Sequence, residues 1–169
     1  MAAGIATKFL QTVHLACDDQ GRITLPSHIR NAMAALETNS IVVGKDHDLF
    51  LRGYNEPAFN RIMDKVNESR YSRSDSVSEE EAHEAEEIAR FGYAQFAMCQ
   101  PDKQGRINIP SYIREEVKIF AGTKITILGQ GDHIEIWPMA TYLEKKQAFD
   151  QKVSAGKVNF RKFHENLNK

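Results

Sequence analysis

A thirteen-residue segment occurs twice in this chain. Asp18 to Arg30 reads DDQGRITLPSHIR, and Asp102 to Arg114 reads DKQGRINIPSYIR, with nine of the thirteen positions identical at a spacing of 84. The likeness continues as a pattern. Ile41-Val42-Val43-Gly44 answers Ile125 to Gly129, and Leu49-Phe50-Leu51 answers Ile134-Glu135-Ile136 with one residue inserted in the second copy. Two repeat units follow, at about 9–52 and 93–137, each of roughly 45 residues. A unit that short cannot bury a stable core alone. Two copies in one chain can pair across a pseudo-twofold axis and share one. The chain therefore divides into a first repeat (1–52), a helical acidic connector (53–92), a second repeat (93–137) and a C-terminal helix with a basic tail (138–169).

Local patterns give each unit its elements. Alternation in Ile23-Thr24-Leu25 and Ile107-Asn108-Ile109 predicts a half-buried strand. Pro26 and Pro110 fit the first position of a following helix, where the missing N–H costs nothing. That helix would carry Ile29 and Met33 in the first copy and Ile113, Val117 and Phe120 in the second, with Gly122 suited to its end. Two further strands follow, joined at Asp46-His47-Asp48 and at Gln130 to His133 as hairpins. In the connector, Phe59, Ile62, Met63 and Val66 form an amphipathic helical stripe. Ser69 to Ser78 reads as a polar loop. Ser78 and Glu81 have capping-box spacing and open an acidic helix to about Phe91. After Trp137-Pro138 a helix runs to about Val153. Ala155 to Lys169 is either a docking helix or a loose tail.

Composition narrows the classes of function. With 41% apolar and 27% charged residues the chain can bury a core, which excludes a chain disordered throughout. No apolar run approaches the ~20 residues of a membrane span. Met1 to Leu10 lacks the basic start and apolar stretch of a signal peptide, so a soluble cytosolic protein is expected. Two cysteines, Cys17 and Cys99, indicate neither a disulfide framework nor a metal site. The net charge of −1 hides an uneven distribution, with the connector strongly acidic and the segment from Tyr93 to Lys169 basic. Nucleic-acid binding depends on a local basic face, so the total neither supports nor excludes it.

The sharpest chemical feature is Asp-x-x-Gly-Arg. Glycine at Gly21 and Gly105 permits a tight turn with positive φ and close backbone approach to a partner. Arg22 and Arg106 then stand at its rim, with a planar fork of donors suited to phosphate or to guanine edges. Asp18 and Asp102, four residues earlier, can pair with the arginine or cap the turn, fixing its rotamer. The plainer reading is an Asp–Arg pair that merely closes a hairpin. Arg30 and Arg114, eight residues on, either extend the same basic face or mark a solvated helix end. His47 and His133 occupy hairpin turns beside aspartate, and no further ligand stands at metal spacing. No nucleophile elbow, phosphate loop or paired-carboxylate site is present, so neither catalysis nor a cofactor or small-molecule substrate is expected.

The duplicated Asp-x-Gln-Gly-Arg-Ile-x-Ile-Pro-x-x-Ile-Arg pattern, followed in the second copy by Ile134-Glu135-Ile136-Trp137, resembles the MraZ family of bacterial regulators. More broadly it resembles the AbrB and MazE swapped-hairpin superfamily, whose members carry one such unit per chain. The resemblance spans about 9–150. It implies an α+β fold of duplicated swapped-hairpin units forming a double split β-barrel flanked by helices. It also implies self-association into a ring and sequence-specific binding to tandem repeats in the promoter of the division and cell-wall gene cluster. By the same resemblance Arg22 and Arg106 are the DNA-contacting arginines. The expected protein is then a nucleoid-associated repressor whose partners are double-stranded DNA and further copies of itself. The competing reading is an assembly or antitoxin-like protein whose repeat builds a ring, with the basic tail from Lys157 gripping an acidic partner.

Overall fold

The computed structural model describes residues 4–71 and 77–167. The first repeat supplies β1 (Thr12–Ala16), β2 (Arg22–Thr24), α1 (Ser27–Ala35), β3 (Ile41–Gly44) and β4 (Leu51–Tyr54). The connector contributes α2 (Glu56–Tyr71) and α3 (Glu79–Tyr93). The second repeat gives β5 (Phe96–Cys99), β6 (Arg106–Asn108), α4 (Ser111–Arg114) with a 3-10 turn over Glu115–Val117, β7 (Lys124–Gly129) and β8 (His133–Pro138). Two helices follow, α5 (Met139–Ser154) and α6 (Arg161–Leu167). The fold is α+β.

The repeats exchange strands. The six-stranded antiparallel sheet has the order β1-β7-β8-β4-β3-β5, so the first strand of each repeat pairs with the third strand of the other. β2 and β6 form a separate two-stranded antiparallel ribbon. The register sets the pseudo-twofold axis, which passes through Ile23↔Ile107 in the ribbon and Arg52↔Glu135 in the sheet. One core results. Ile23, Leu25, Ile29 and Ile41 are buried in a single cluster with Ile107, Ile109, Ile113 and Ile125. Half of that cluster is missing from either repeat alone, which is why a unit too small for its own core folds as a pair.

The connector helices are held by polar contacts as much as by apolar ones. The side chain of Ser78 accepts from the Glu81 N–H, and Glu81 accepts from the Ser78 N–H, so the expected capping box is present. Arg70 donates from Nε and Nη2 to the two carboxylate oxygens of Glu86 at 2.9 and 2.7 Å. Tyr93 donates to Asn67 at 3.0 Å. The apolar stripe of α2 is half-buried in its own chain, with Phe59 against Phe96 and Tyr54.

Several local expectations need correction. Ser69 to Ser78 is not all loop: α2 continues through Tyr71, because Arg70 and Asn67 gain partners on α3, and 72–76 lie outside the described residues. Pro26 and Pro110 precede their helices rather than open them, with ψ of 147° and 137°. Phe120 does not continue the helical face of Ile113 and Val117. Lys118 adopts the left-handed region at φ 64°, ends the 3-10 turn, and hands the buried position to Ile119, leaving Phe120 exposed. Gly122 consequently serves a later turn. The β3–β4 hairpin matches β7–β8 at a spacing of 83, Tyr54 answering Trp137, so the extra residue belongs to the first copy rather than the second. His133 is the first residue of β8 rather than a turn residue. At the C-terminus, α6 is a helix whose described side chains are exposed, while Phe160 before it meets Phe149 of α5 edge-on at 5.6 Å.

Candidate nucleic-acid interface

Both Asp-x-x-Gly-Arg elements close the same turn. In the first, one oxygen of Asp18 accepts from the backbone N–H of Gln20 at 2.9 Å and of Arg22 at 2.8 Å. Its other oxygen accepts from Arg22 Nε at 2.7 Å. In the second, Asp102 accepts from Gln104 and Arg106 N–H at 2.9 and 3.0 Å, and from Arg106 Nε at 2.8 Å. Backbone bonds from Gly21 to Asp18 and from Gly105 to Asp102 complete each turn. Gly21 and Gly105 share a φ of +78°, a conformation that L side chains rarely adopt. The aspartate thus does both jobs expected of it, capping the turn and holding the arginine rotamer.

These bonds set the charge state. The side-chain and backbone bonds from Arg106 hold the Asp102 carboxyl down at about 2. The backbone N–H of Arg22, with its guanidinium, likewise lowers that of Asp18. A guanidinium has five N–H donors. The carboxylate takes Nε of Arg22 and touches Nε and Nη2 of Arg106, which leaves donors on each fork for a second acceptor.

The ribbon decides what else stands beside the arginines. Arg22 lies opposite Asn108, and Thr24 opposite Arg106. Side chains alternate across a strand, so Ile23 and Ile107 point into the core while Arg22, Thr24, Arg106 and Asn108 share the outer face. The two arginines are half-buried, and Thr24 and Asn108 are exposed. Diagonal neighbours on such a ladder, as Arg22 and Arg106 are, lie roughly 7–8 Å apart, their Cβ atoms somewhat less. Thr24 and Asn108 were missed among the candidate residues. The alternation that placed Ile23 and Ile107 inside also placed them outside, and that was the signal.

Arg30 and Arg114 occupy different positions from the ribbon arginines. Arg114 is buried and donates from Nη1 to the Ile119 carbonyl at 3.0 Å. Arg30 is exposed as a residue and donates from Nε to the Leu25 carbonyl at 3.2 Å in a part-buried bond. Each packs against the glycine turn of the other repeat, Arg114 on Gly21 and Arg30 on Gly105. Among the histidines, His47 Nδ1 accepts from the Leu49 N–H at 3.1 Å, and His133 Nδ1 lies 2.9 Å from an Asp132 oxygen. No group of three potential metal ligands occurs among the described residues. Burial pushes the Cys99 thiol up to about 11, far from a reactive thiolate. No helix among the described residues is long and apolar enough to cross a membrane.

Known proteins carry the same architecture of sequence. The family model described as "MraZ protein, putative antitoxin-like" matches residues 9–80 and again 93–164, one match for each repeat and the helices that follow it. A protein named Transcriptional regulator MraZ from Mycobacterium sp. (strain KMS) is 30% identical over 147 residues, covering 87% of this chain and 92% of the relative. The protein of the same name from Lactiplantibacillus plantarum is 29% identical over 152 residues, covering 90% and 92%. That from Carboxydothermus hydrogenoformans is 27% identical over 146 residues, covering 85% and 92%. The chain belongs to the MraZ family.

Proposed function

We propose that this chain is a sequence-specific DNA-binding transcriptional regulator, and that the outer face of the β2–β6 ribbon is its reading surface. One observation carries the reading. Two arginines, each held in one rotamer by its own aspartate, share a solvent face with Thr24 and Asn108. A two-stranded ribbon fits the major groove, which is ~12 Å wide, and arginine and asparagine are the side chains best matched to guanine and adenine edges there. Arg22 and Arg106 make the base or phosphate contacts, and Gly21 and Gly105 let the backbone approach. Asp18 and Asp102 orient the arginines. Arg30 and Arg114 belong to the site through the turns they touch. The exchange of strands between repeats supports the double split β-barrel as the description of the fold.

The regulator acts as a repressor of the division and cell-wall cluster, is nucleoid-associated, and binds tandem promoter repeats as a ring. One chain presents a single ribbon, too few contacts for strong specific binding at physiological salt. Several protomers turn later contacts into intramolecular events and multiply avidity.

The test is binding of DNA from upstream of the chain's own gene, followed by fluorescence anisotropy at two salt concentrations. Arg22→Ala and Arg106→Ala should each weaken binding by about 1–3 kcal/mol. Thermal unfolding of both variants should stay close to the parent, because ion pairs that remain open to solvent contribute little. A double alanine variant that binds with undiminished affinity would make these arginines structural and end the reading. The antitoxin-like reading, favoured by the description of the family and by the exposed α6, predicts instead a stable complex with an acidic protein partner that survives loss of both arginines.

A further inference from the structure

The two arginine turns are built alike but are not held alike. Arg114 ends α4 and is 9% exposed, an unusual place for an arginine. Its Nη1 bonds the Ile119 carbonyl at 3.0 Å, and Glu115 lies 3.5 Å away. Its guanidinium is laid against the first repeat's turn: a Cβ built on Gly21 would lie 2.7 Å from Cζ and 2.9 Å from Nε. Nε is buried without an acceptor. A leucine packed there would avoid that unsatisfied donor, so filling space does not account for an arginine. The same segment grips the turn again. Gly122 N–H donates to the Asp18 carbonyl at 3.1 Å, and Cys17 N–H donates to the Thr123 carbonyl at 2.9 Å.

The second turn has less. Leu25 N–H donates to the Gly105 carbonyl at 2.9 Å, and the Leu25 carbonyl accepts from Arg30 Nε. Arg30 touches Gly105 through Cδ, Nε and Cζ, yet the residue is exposed where Arg114 is buried. Among the described residues no bond corresponding to Gly122–Asp18 reaches the Asp102 carbonyl. The cause is helix length. α1 runs for nine residues, whereas α4 stops after four, and the left-handed Lys118 turns Ile119 to Thr123 back onto the first turn.

We propose that Arg114 is a positioning residue for the first arginine turn. From the second repeat it fixes the backbone at Gly21 and so aims Arg22, while Arg30 leaves the Arg106 turn the more adaptable of the two. The flat guanidinium can lie on a glycine Cα and still reach the Ile119 carbonyl, which a lysine ammonium cannot do. What the aimed arginine does rests on the DNA-binding reading; the brace itself does not.

The experiment uses the full chain with Arg114→Gln, Arg114→Lys and Arg30→Gln, the lysine variant keeping the charge in case the glutamine variant fails to fold. Hydrogen–deuterium exchange by mass spectrometry compares peptides over 17–23 and 101–107. Both Arg114 variants should speed exchange in 17–23 at least tenfold and leave 101–107 unchanged, and Arg30→Gln should leave 17–23 unchanged. Affinity for the upstream DNA should fall about tenfold in both Arg114 variants, with the slope of log K against log salt unchanged. A slope reduced by about one would make Arg114 a phosphate contact and overturn the proposal. So would unchanged exchange in 17–23, or equal acceleration along the whole chain. If the parent protein does not bind that DNA, the functional reading falls, and the exchange data alone decide the brace.

Discussion

Alanine at Gly21 and at Gly105 is the same chemical change at the same φ of +78°, yet the two should differ in cost. The backbone part is common. Holding an L-residue in the left-handed region costs about 1–2 kcal/mol. The neighbours are not common. At Gly21 the new Cβ would meet the buried Arg114 guanidinium, with Cζ at 2.7 Å. Arg114 has to move, and its charged bond to the Ile119 carbonyl, of the kind that contributes about 1.5–3 kcal/mol, is lost or weakened. Gly21→Ala should therefore cost about 2.5–5 kcal/mol. At Gly105 the Cβ would meet Nε and Cδ of Arg30 at 2.8 and 2.9 Å. That residue is exposed and can swing away, exchanging its part-buried bond of 3.2 Å for water. Gly105→Ala should cost only about 1–2 kcal/mol, the backbone part alone. Valine should be worse at both sites, since a β-branched residue tolerates positive φ least. Urea unfolding at one fixed protein concentration measures both, which keeps any self-association constant. Equal losses for the two alanines, or a loss below about 1 kcal/mol at Gly21, would refute the argument.

Two further outcomes follow from local chemistry. Ser78→Ala removes half of the capping box at the start of α3 and should lower stability by about 1 kcal/mol, read from the urea midpoint. The acid limb of stability should depend on Asp102, whose carboxyl lies at about 2 in the folded chain against 3.8 ordinarily. A depressed carboxylate contributes stability that is complete above the ordinary value and is lost as pH falls toward the folded one. Asp102→Asn should flatten the fall between those two pH values, measured as the thermal midpoint against pH. A variant whose acid limb overlies that of the parent would exclude the assignment.

The repeat was legible because identity at fixed spacing survives any uncertainty in local propensity, and with it came the shared core and the Asp–Arg turn. Ile23 and Ile107 were placed inside by alternation alone. What escaped was decided by contacts between distant parts of the chain. The tail of α2 is polar and reads as loop until Glu86 is known to stand beside Arg70. The stop after Val117 depends on Lys118 entering the left-handed region, a conformation that nothing in EEVKIF advertises. Arg30 and Arg114 occupy the same place in the repeat and look equivalent in sequence. Their difference in burial arises downstream, from the length of the helix that carries each one. The β3–β4 register could not be fixed either, because apolar runs such as Leu49-Phe50-Leu51 slide by two positions without changing face.

The inequality of the two turns bears on the arrangement of the DNA. A dimer of single-unit chains must present identical turns about its axis, and operator palindromes mirror that symmetry. Joining both units in one chain removes the requirement, and this chain departs from identity where the ribbon meets solvent. Around the axis at Ile23↔Ile107, one end carries Arg22 and Asn108 beside a clamped turn, and the other carries Arg106 and Thr24 beside a looser one. Asparagine prefers adenine, whereas threonine offers a hydroxyl and a methyl group. The ribbon thus has a direction. Protomers that join head to tail in a ring would all point the same way, so the matching operator consists of direct repeats about one helical turn apart, ~10 base pairs. Inverting one repeat of a tandem pair should then weaken binding by at least tenfold, and inserting half a turn should do the same. Asn108→Thr makes the two ends alike and should shrink the penalty for inversion while leaving the salt slope untouched. Binding that is indifferent to inversion in the unaltered protein would mean that the ribbon reads DNA as a symmetric element and that the asymmetry serves another end.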